Sequence, residues 1–239
     1  MHPNPWFLVP RPLAEPRKRL FCFPHAGASA TAFHSWSRLL PADMELRALQ
    51  LPGRTYRFSE PNIVDMGELL DRAHEAIAPF LDRPFLFFGH SMGALIAFEL
   101  ARRVRSAPLE HLVVSGRRAP QLPTGVPPLH QLDDATFRNE LERIFGMPRA
   151  LLDDPALMAP AMPALRADFA AMEGWSYAPA APLDVRMTAL GGREDLGLRP
   201  GDIEAWQEQT TGRFASRWFD GAHFFLNQRP ADIVAVLED

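Results

Sequence analysis

Three residues in this sequence have the types and flanks that a nucleophilic serine mechanism requires: Ser91, Asp195 and His223. Ser91 is the centre of Gly89-His90-Ser91-Met92-Gly93, a G-x-S-x-G pattern. A serine held on a sharp strand-to-helix turn needs neighbours almost without side chains two residues away on each side, or the turn cannot close. Of the eight histidines, His223 follows the last predicted strand in Asp220-Gly221-Ala222-His223-Phe224-Phe225, where small residues let its ring approach the sheet edge. A base on the same edge as the nucleophile is what the chain order serine, acid, histidine delivers in a parallel sheet. The acid that orients the base belongs between the two, at a strand end. Gly191-Gly192-Arg193-Glu194-Asp195 supplies two carboxylates there. Asp195 is the choice because the glycines permit a sharp turn and the fifth residue can swing back over the edge, with Glu194 in reserve and Asp220 on the strand side of its own turn.

Such a mechanism also needs two backbone N–H groups aimed at the developing oxyanion. Met92, directly after the nucleophile, supplies one. The other is expected from the small-residue loop Pro24-His25-Ala26-Gly27-Ala28-Ser29, with Ala26 first and Gly27 second, because small side chains let a substrate oxygen approach the amide. No H-E-x-x-H, paired cysteine, carboxylate cluster or glycine-rich phosphate loop occurs, so no metal and no cofactor is expected.

The elements that must position these groups follow from hydrophobic period. Residues 1–18 are proline-rich and read as an extended arm anchored by Trp6 and Phe7. Buried strands are predicted at Leu20–Phe23, Glu45–Leu51, Phe85–Phe88, His111–Ser115, Val185–Leu190 and around Arg217–Phe219. Helices are predicted from Ala32 to Leu40, Met66 to Leu81, Ala94 to Ala101, around Ile203–Gln209 and from Asn227 to Leu237. Strands alternating with helices imply a mainly parallel central sheet flanked by helices in a single domain over 1–239. The alternation stops at residues 117–177, where no strand is predicted. Asp133-Asp134-Ala135 opens a helix reaching Phe145, and Leu165–Met172 forms part of another, so the segment reads as a helical lid insertion.

Composition removes whole classes of function. With 239 residues and 47% apolar content the chain can bury a large core. A net charge of −4 argues against a nucleic-acid surface. The single cysteine, Cys22, lies in an apolar strand and reads as a small buried hydrophobe. There is neither a signal-peptide pattern nor an eighteen-residue apolar run, so a cytoplasmic protein without a membrane segment is expected.

Together, Phe23-Pro24-His25-Ala26-Gly27, Leu51-Pro52-Gly53-Arg54, Gly89-His90-Ser91-Met92-Gly93-Ala94, Gly191-Gly192-Arg193-Glu194-Asp195 and Gly221-Ala222-His223-Phe224-Phe225 resemble a type II thioesterase over nearly the whole chain. Ala28 and Ala222 stand where that family often has glycine, and both remain small. The resemblance implies an α/β-hydrolase fold and hydrolysis of stalled or mis-primed acyl groups from the phosphopantetheine arm of acyl or peptidyl carrier domains. The partners would be polyketide synthases or non-ribosomal peptide synthetases. It also implies the triad Ser91, Asp195 and His223 with Ala26 and Met92 as donors. In the lid, Phe145, Met147, Met158, Met162, Phe169 and Met172 would give an adaptable apolar wall for the acyl chain, with His25 beside them. Arg102, Arg103, Arg105, Arg117 and Arg118 are candidates to receive an acidic carrier domain. A monomer is expected. The competing readings are an esterase or lipase on oxygen esters, a chain-releasing thioesterase, a carrier-protein acyltransferase and a non-catalytic scaffold.

Overall fold

The structure, a computed structural model, describes residues 4–123 and 127–238. Residues 1–3 of the expected arm, 124–126 of the expected insertion and Asp239 lie outside the described residues. The strands are β1 (Phe7–Leu8), β2 (Lys18–Phe23), β3 (Met44–Leu49), β4 (Phe85–His90), β5 (Leu109–Ser115), β6 (Arg186–Gly192) and β7 (Phe214–Phe219). They form one sheet in the order β1-β3-β2-β4-β5-β6-β7, in which only β1 runs antiparallel to its neighbour. The central strands carry helices on both faces, and so they read as unbroken apolar runs. The parallel register sets Phe23 beside Gly89 and His90 beside Ser115. The loops that follow β2, β4, β6 and β7 therefore leave from one edge of the sheet.

The arm does more than lie extended: Phe7–Leu8 pairs with β3, and Phe7 is buried edge-on against Phe21 and Phe80. Helix α1 (Met66–Ile77) is capped by the Asp65 side chain, which accepts the Glu68 N–H, and buries Leu69, Leu70, Ala73 and Ile77. It stops short of the predicted Leu81 and tightens into a 3-10 turn at Ala78–Phe80, because Pro79 has no N–H to continue the ladder. Helix α2 (Met92–Arg103) is buried along most of its length under β4 and β5. The segments predicted as helix near Ala32 and Ile203 are 3-10 helices at Ala30–Arg38 and Glu204–Gln209.

Between β5 and β6 stand α3 (Asp134–Phe145), α4 (Arg149–Leu152) and α5 (Pro155–Gly174). Helix α5 is longer than the sequence indicated. Pro155 sits at its first turn, where no N–H is needed, and Pro160 and Pro163 lie on its exposed face. Ala156 and Ala159, whose carbonyls those prolines leave without a donor, are exposed and can be hydrated. The last helix is likewise divided by Pro230 into a 3-10 turn at Phe225–Asn227 and α6 (Pro230–Glu238).

Alternate residues of each strand feed two cores. Phe21, Phe85, Phe87 and Val114 pack with α1 and α2 on one face, and Leu20, Cys22, Leu86 and Phe88 pack with Trp36 and α6 on the other. A third cluster, including Phe137, Leu141, Leu152, Met158 and Phe169, belongs to α3–α5.

Candidate active site

Ser91 joins β4 to α2 with φ 55° and ψ −112°, a strained conformation for a residue with a side chain. Its N–H donates to the Ser115 carbonyl at 2.8 Å, which ties the turn to β5. The two glycines are demanded by contact. A Cβ on Gly89 would lie 2.0 Å from the Gly93 oxygen, and one on Gly93 would lie 1.9 Å from the Phe23 oxygen. The turn closes only because α2 can press its first residues against the ends of β4 and β2.

His223 lies four residues beyond β7, and its Nδ1 bonds Asp195 Oδ2 at 2.7 Å. Both residues are buried. The loop carrying Asp195 is seated on the loop carrying His223, since Glu194 N–H reaches the Gly221 carbonyl at 3.1 Å and a Cβ on Gly192 would strike the Gly221 oxygen at 2.5 Å. The second Asp195 oxygen accepts the Gly197 N–H at 2.9 Å, which fixes the carboxylate plane. Glu194 is exposed instead, and Asp220 is exposed beside Arg193 and Arg229. With Nδ1–H donated to the carboxylate, Nε2 is left as the basic nitrogen.

The small-residue loop stands against the elbow. Its amides are divided by their partners: Gly27 N–H donates to Asp168 Oδ2 at 2.7 Å and Ala28 N–H to the His25 carbonyl at 3.1 Å. Ala26 N–H has no such acceptor among the described residues, so the second choice, Gly27, is already engaged. Met92 opens α2 and its N–H has no partner within the helix. Ser91, Ala26 and His223 line one pocket that opens to solvent and holds ≈ 260 Å³ of empty space, walled on the other side by Leu141, Phe145 and Met147 from α3 and its following turn and by Leu165 and Phe169 from α5. Phe145 stands edge-on to the His223 ring, with centroids 4.9 Å apart. Among the described residues no group of three or more His, Cys, Asp or Glu side chains is placed to hold a metal.

The thioesterase-domain family model matches residues 18–239. The chain belongs to the thioesterase family. It is a hydrolase acting on thioesters, with the α/β-hydrolase fold. This thioesterase is 39% identical over 238 residues to the gramicidin S biosynthesis protein GrsT of Aneurinibacillus migulanus, covering 98% of this chain and 93% of the relative. It is 37% identical over 239 residues to thioesterase PikA5 of Streptomyces venezuelae, covering 98% and 84%. The type II thioesterase BorB from the borrelidin biosynthetic cluster superposes with a TM-score of 0.90 at 35% identity, covering 100% of this chain and 98% of that one.

Not every residue expected at the site of this thioesterase is brought to it. His25, Phe145, Met147 and Phe169 face the cavity, but Met162 does not. Met162 lies on the face of α5 that carries Leu165, about 4.5 Å further along the axis given the rise per residue, and packs in the cluster of α3–α5 with Met158. Met172, which does not line the cavity either, receives Arg117 Nη1 at 2.9 Å on its sulfur. The arginines proposed to meet a carrier domain have partners of their own. Arg102 pairs with Glu99 and Arg103 with Asp71, both at 2.7 Å. Arg105 donates to the carbonyls of Ala181 and Pro182, and Arg118 to those of Pro123 and Gly197. Among the described residues no carboxylate is hydrogen-bonded to Arg117, and burial, with Arg118 nearby, lowers its pKa to about 10. No described helix is long and apolar enough to cross a membrane.

Two features had no role assigned from sequence. His90 is fully buried behind His223, with ring centroids 5.0 Å apart, and its Nδ1 bonds Ser115 Oγ at 2.9 Å. Burial, and then the neighbouring His223 and His25, holds its pKa well below that of an ordinary histidine, so it stays neutral. Arg54 and Asp168 form a buried bidentate pair at 2.6 and 2.7 Å next to the small-residue loop. Half of the signal for that pair was present: Asp168 is the one carboxylate in the predicted helical stretch Leu165–Met172, and such a residue, once buried, requires a cation, though nothing in the stretch says which.

Proposed function

We propose that this thioesterase hydrolyses aberrant or stalled acyl groups from the phosphopantetheine arm of acyl or peptidyl carrier domains in a polyketide synthase or non-ribosomal peptide synthetase. The observation that carries the reading is the strained Ser91 in one cavity with a His223 already bonded to Asp195. The names of GrsT and BorB, which place those proteins in gramicidin S biosynthesis and in the borrelidin biosynthetic cluster, supply the biological setting.

In the first half-reaction His223 Nε2 takes the Ser91 proton as Oγ bonds the thioester carbon, and the N–H groups of Ala26 and Met92 hold the oxyanion. The C–S bond breaks, and the proton on His223 goes to the departing sulfur. In the second, water gives a proton to His223 and its hydroxyl to the acyl carbon. The Ser91–acyl bond breaks, the proton returns to Ser91 Oγ, and a carboxylic acid is released. Asp195 holds the tautomer throughout and offsets the charge on the imidazolium. A thiol leaves more readily than an amine, so a loosely shaped acyl pocket can still turn over. The described helices α3–α5 of the insertion act as the lid, and Met147 with its flexible thioether lets the wall adjust to acyl groups of different shape.

Ser91→Ala is expected to lower kcat for a carrier-bound acyl thioester by several orders of magnitude with the fold unchanged. Hydrolysis by Ser91→Ala at the parent rate rejects the assignment. A panel from acetyl to long product-like chains, each on carrier and as the matched oxygen ester, tests the substrate. Broad cleavage that favours short or aberrant acyl groups on carrier supports editing, whereas strict preference for one mature chain assigns chain release, and preference for the oxygen esters assigns an esterase.

A further inference from the structure

The small-residue loop does not hold its shape by itself. Gly27 has φ +76°, and a Cβ there would meet Leu165 Cδ1 at 2.6 Å, so α5 lies directly on the loop. One turn along α5, Asp168 accepts the Gly27 N–H at 2.7 Å. The same carboxylate receives both terminal nitrogens of Arg54, which comes from the segment after β3. Arg54 Nη1 also donates to the Ala28 carbonyl at 3.1 Å, so loop, body and insertion meet in one buried cluster. Asp168 is 1% and Arg54 7% exposed. Every polar group of the loop that this cluster takes up is one residue or two from Ala26. With the Gly27 N–H drawn toward α5 and the Ala28 carbonyl toward Arg54, the peptide plane before Ala26 is the one left to present a donor to the cavity.

We propose that Asp168 is a positioning residue: through Gly27 N–H and Arg54 it sets the loop that presents the Ala26 amide, so the oxyanion hole is complete only while α5 is seated. This rests on the reading of Ser91 and Ala26 given above. Seating the insertion over an acyl group and assembling the donor pair are then one event, and an open insertion leaves the nucleophile without a complete hole.

The test compares Asp168→Asn, Arg54→Gln and the double substitution Asp168→Leu with Arg54→Met in the full chain. Substrate is a short acyl thioester of N-acetylcysteamine, the labelling reagent is a fluorophosphonate, and urea unfolding reports stability. Each single variant is expected to lower kcat about 10- to 100-fold, less than the roughly 10²- to 10³-fold of a donor removed outright because the Ala26 amide is displaced rather than lost, with KM within about threefold of the parent because the acyl wall is intact. The rate of phosphonylation of Ser91 should fall by a similar factor, since that adduct also places an oxygen in the hole. The apolar double variant is expected to recover the parent's urea midpoint, as apolar replacements of buried ion pairs often do, while its kcat stays low. A double variant that recovers kcat along with stability overturns the proposal, and so does a folded single variant with the parent's kcat. Failure of the parent to be labelled at Ser91, or full activity in Ser91→Ala, would instead bring down the site reading itself.

Discussion

His25 stands where the site meets the stability of the fold. Its Nδ1–H donates to the Ala26 carbonyl at 3.0 Å and its ring packs on Phe224 at 4.9 Å. Burial lowers its pKa to about 4 from an ordinary 6.5. In the window between those values the unfolded chain binds a proton that the native chain does not, so stability held above pH 6.5 is lost as pH falls toward 4. His90 works in the same direction. Between pH 7.5 and pH 5 the His25 contribution amounts to about 1–2 kcal/mol. His25→Gln should flatten the pH dependence of urea unfolding by that much, and equal slopes for variant and parent would exclude the assignment. The bond between His223 Nδ1 and Asp195 does not itself involve His25.

The elbow is the element in which sequence and structure speak the same language. A glycine two residues before and two after a serine is a pattern that survives without coordinates, and its cause is the pair of backbone contacts below 2.1 Å that any Cβ would create. Gly93→Ala must move the Phe23 carbonyl, at the root of the small-residue loop, so it should cost about 2–3 kcal/mol in urea unfolding, the scale of overpacking in a tight core. Activity should fall beyond the loss of folded protein. Parent-like stability in Gly93→Ala would show that the end of β2 gives way more easily than this packing implies. The strands β2, β4 and β5 were legible for a similar reason, since a strand covered on both faces has few polar residues to blur it. Helix α5 was not. Its prolines read as breaks, and only the exposure of Pro160 and Pro163 explains how the helix passes through them. The place of Met162 was hidden with it, because which residues of a helix reach a cavity depends on where along its axis the cavity lies. Arg54 and Asp168 are 114 residues apart, and neither residue alone carries a sign of the other.

At the scale of the molecule, two cores flank the sheet and a third lies within α3–α5. The third meets the body at the site, through Leu165 and Asp168 on the small-residue loop and Phe145 on His223, and along α1, where Ala171 is buried in the first core. Side chains of this unit line one wall of the cavity over Ser91, so the outline of the acyl site depends on where the unit sits. A unit with its own small core, tied to the body chiefly through one helix, opens at lower free energy than the sheet does. Amides of α3 and α5 should therefore exchange with solvent hydrogen faster than those of β4 and β5 under native conditions, when followed by mass spectrometry of peptic fragments. Covalent capture of Ser91 by an alkyl fluorophosphonate fills the cavity and adds contacts only in the closed arrangement, so it should slow exchange in α3 and α5 while leaving β4 unchanged. If α3, α5, β4 and β5 exchanged together as one unit, with or without the adduct, the insertion would be part of the rigid body, and the outline of the acyl site would be fixed.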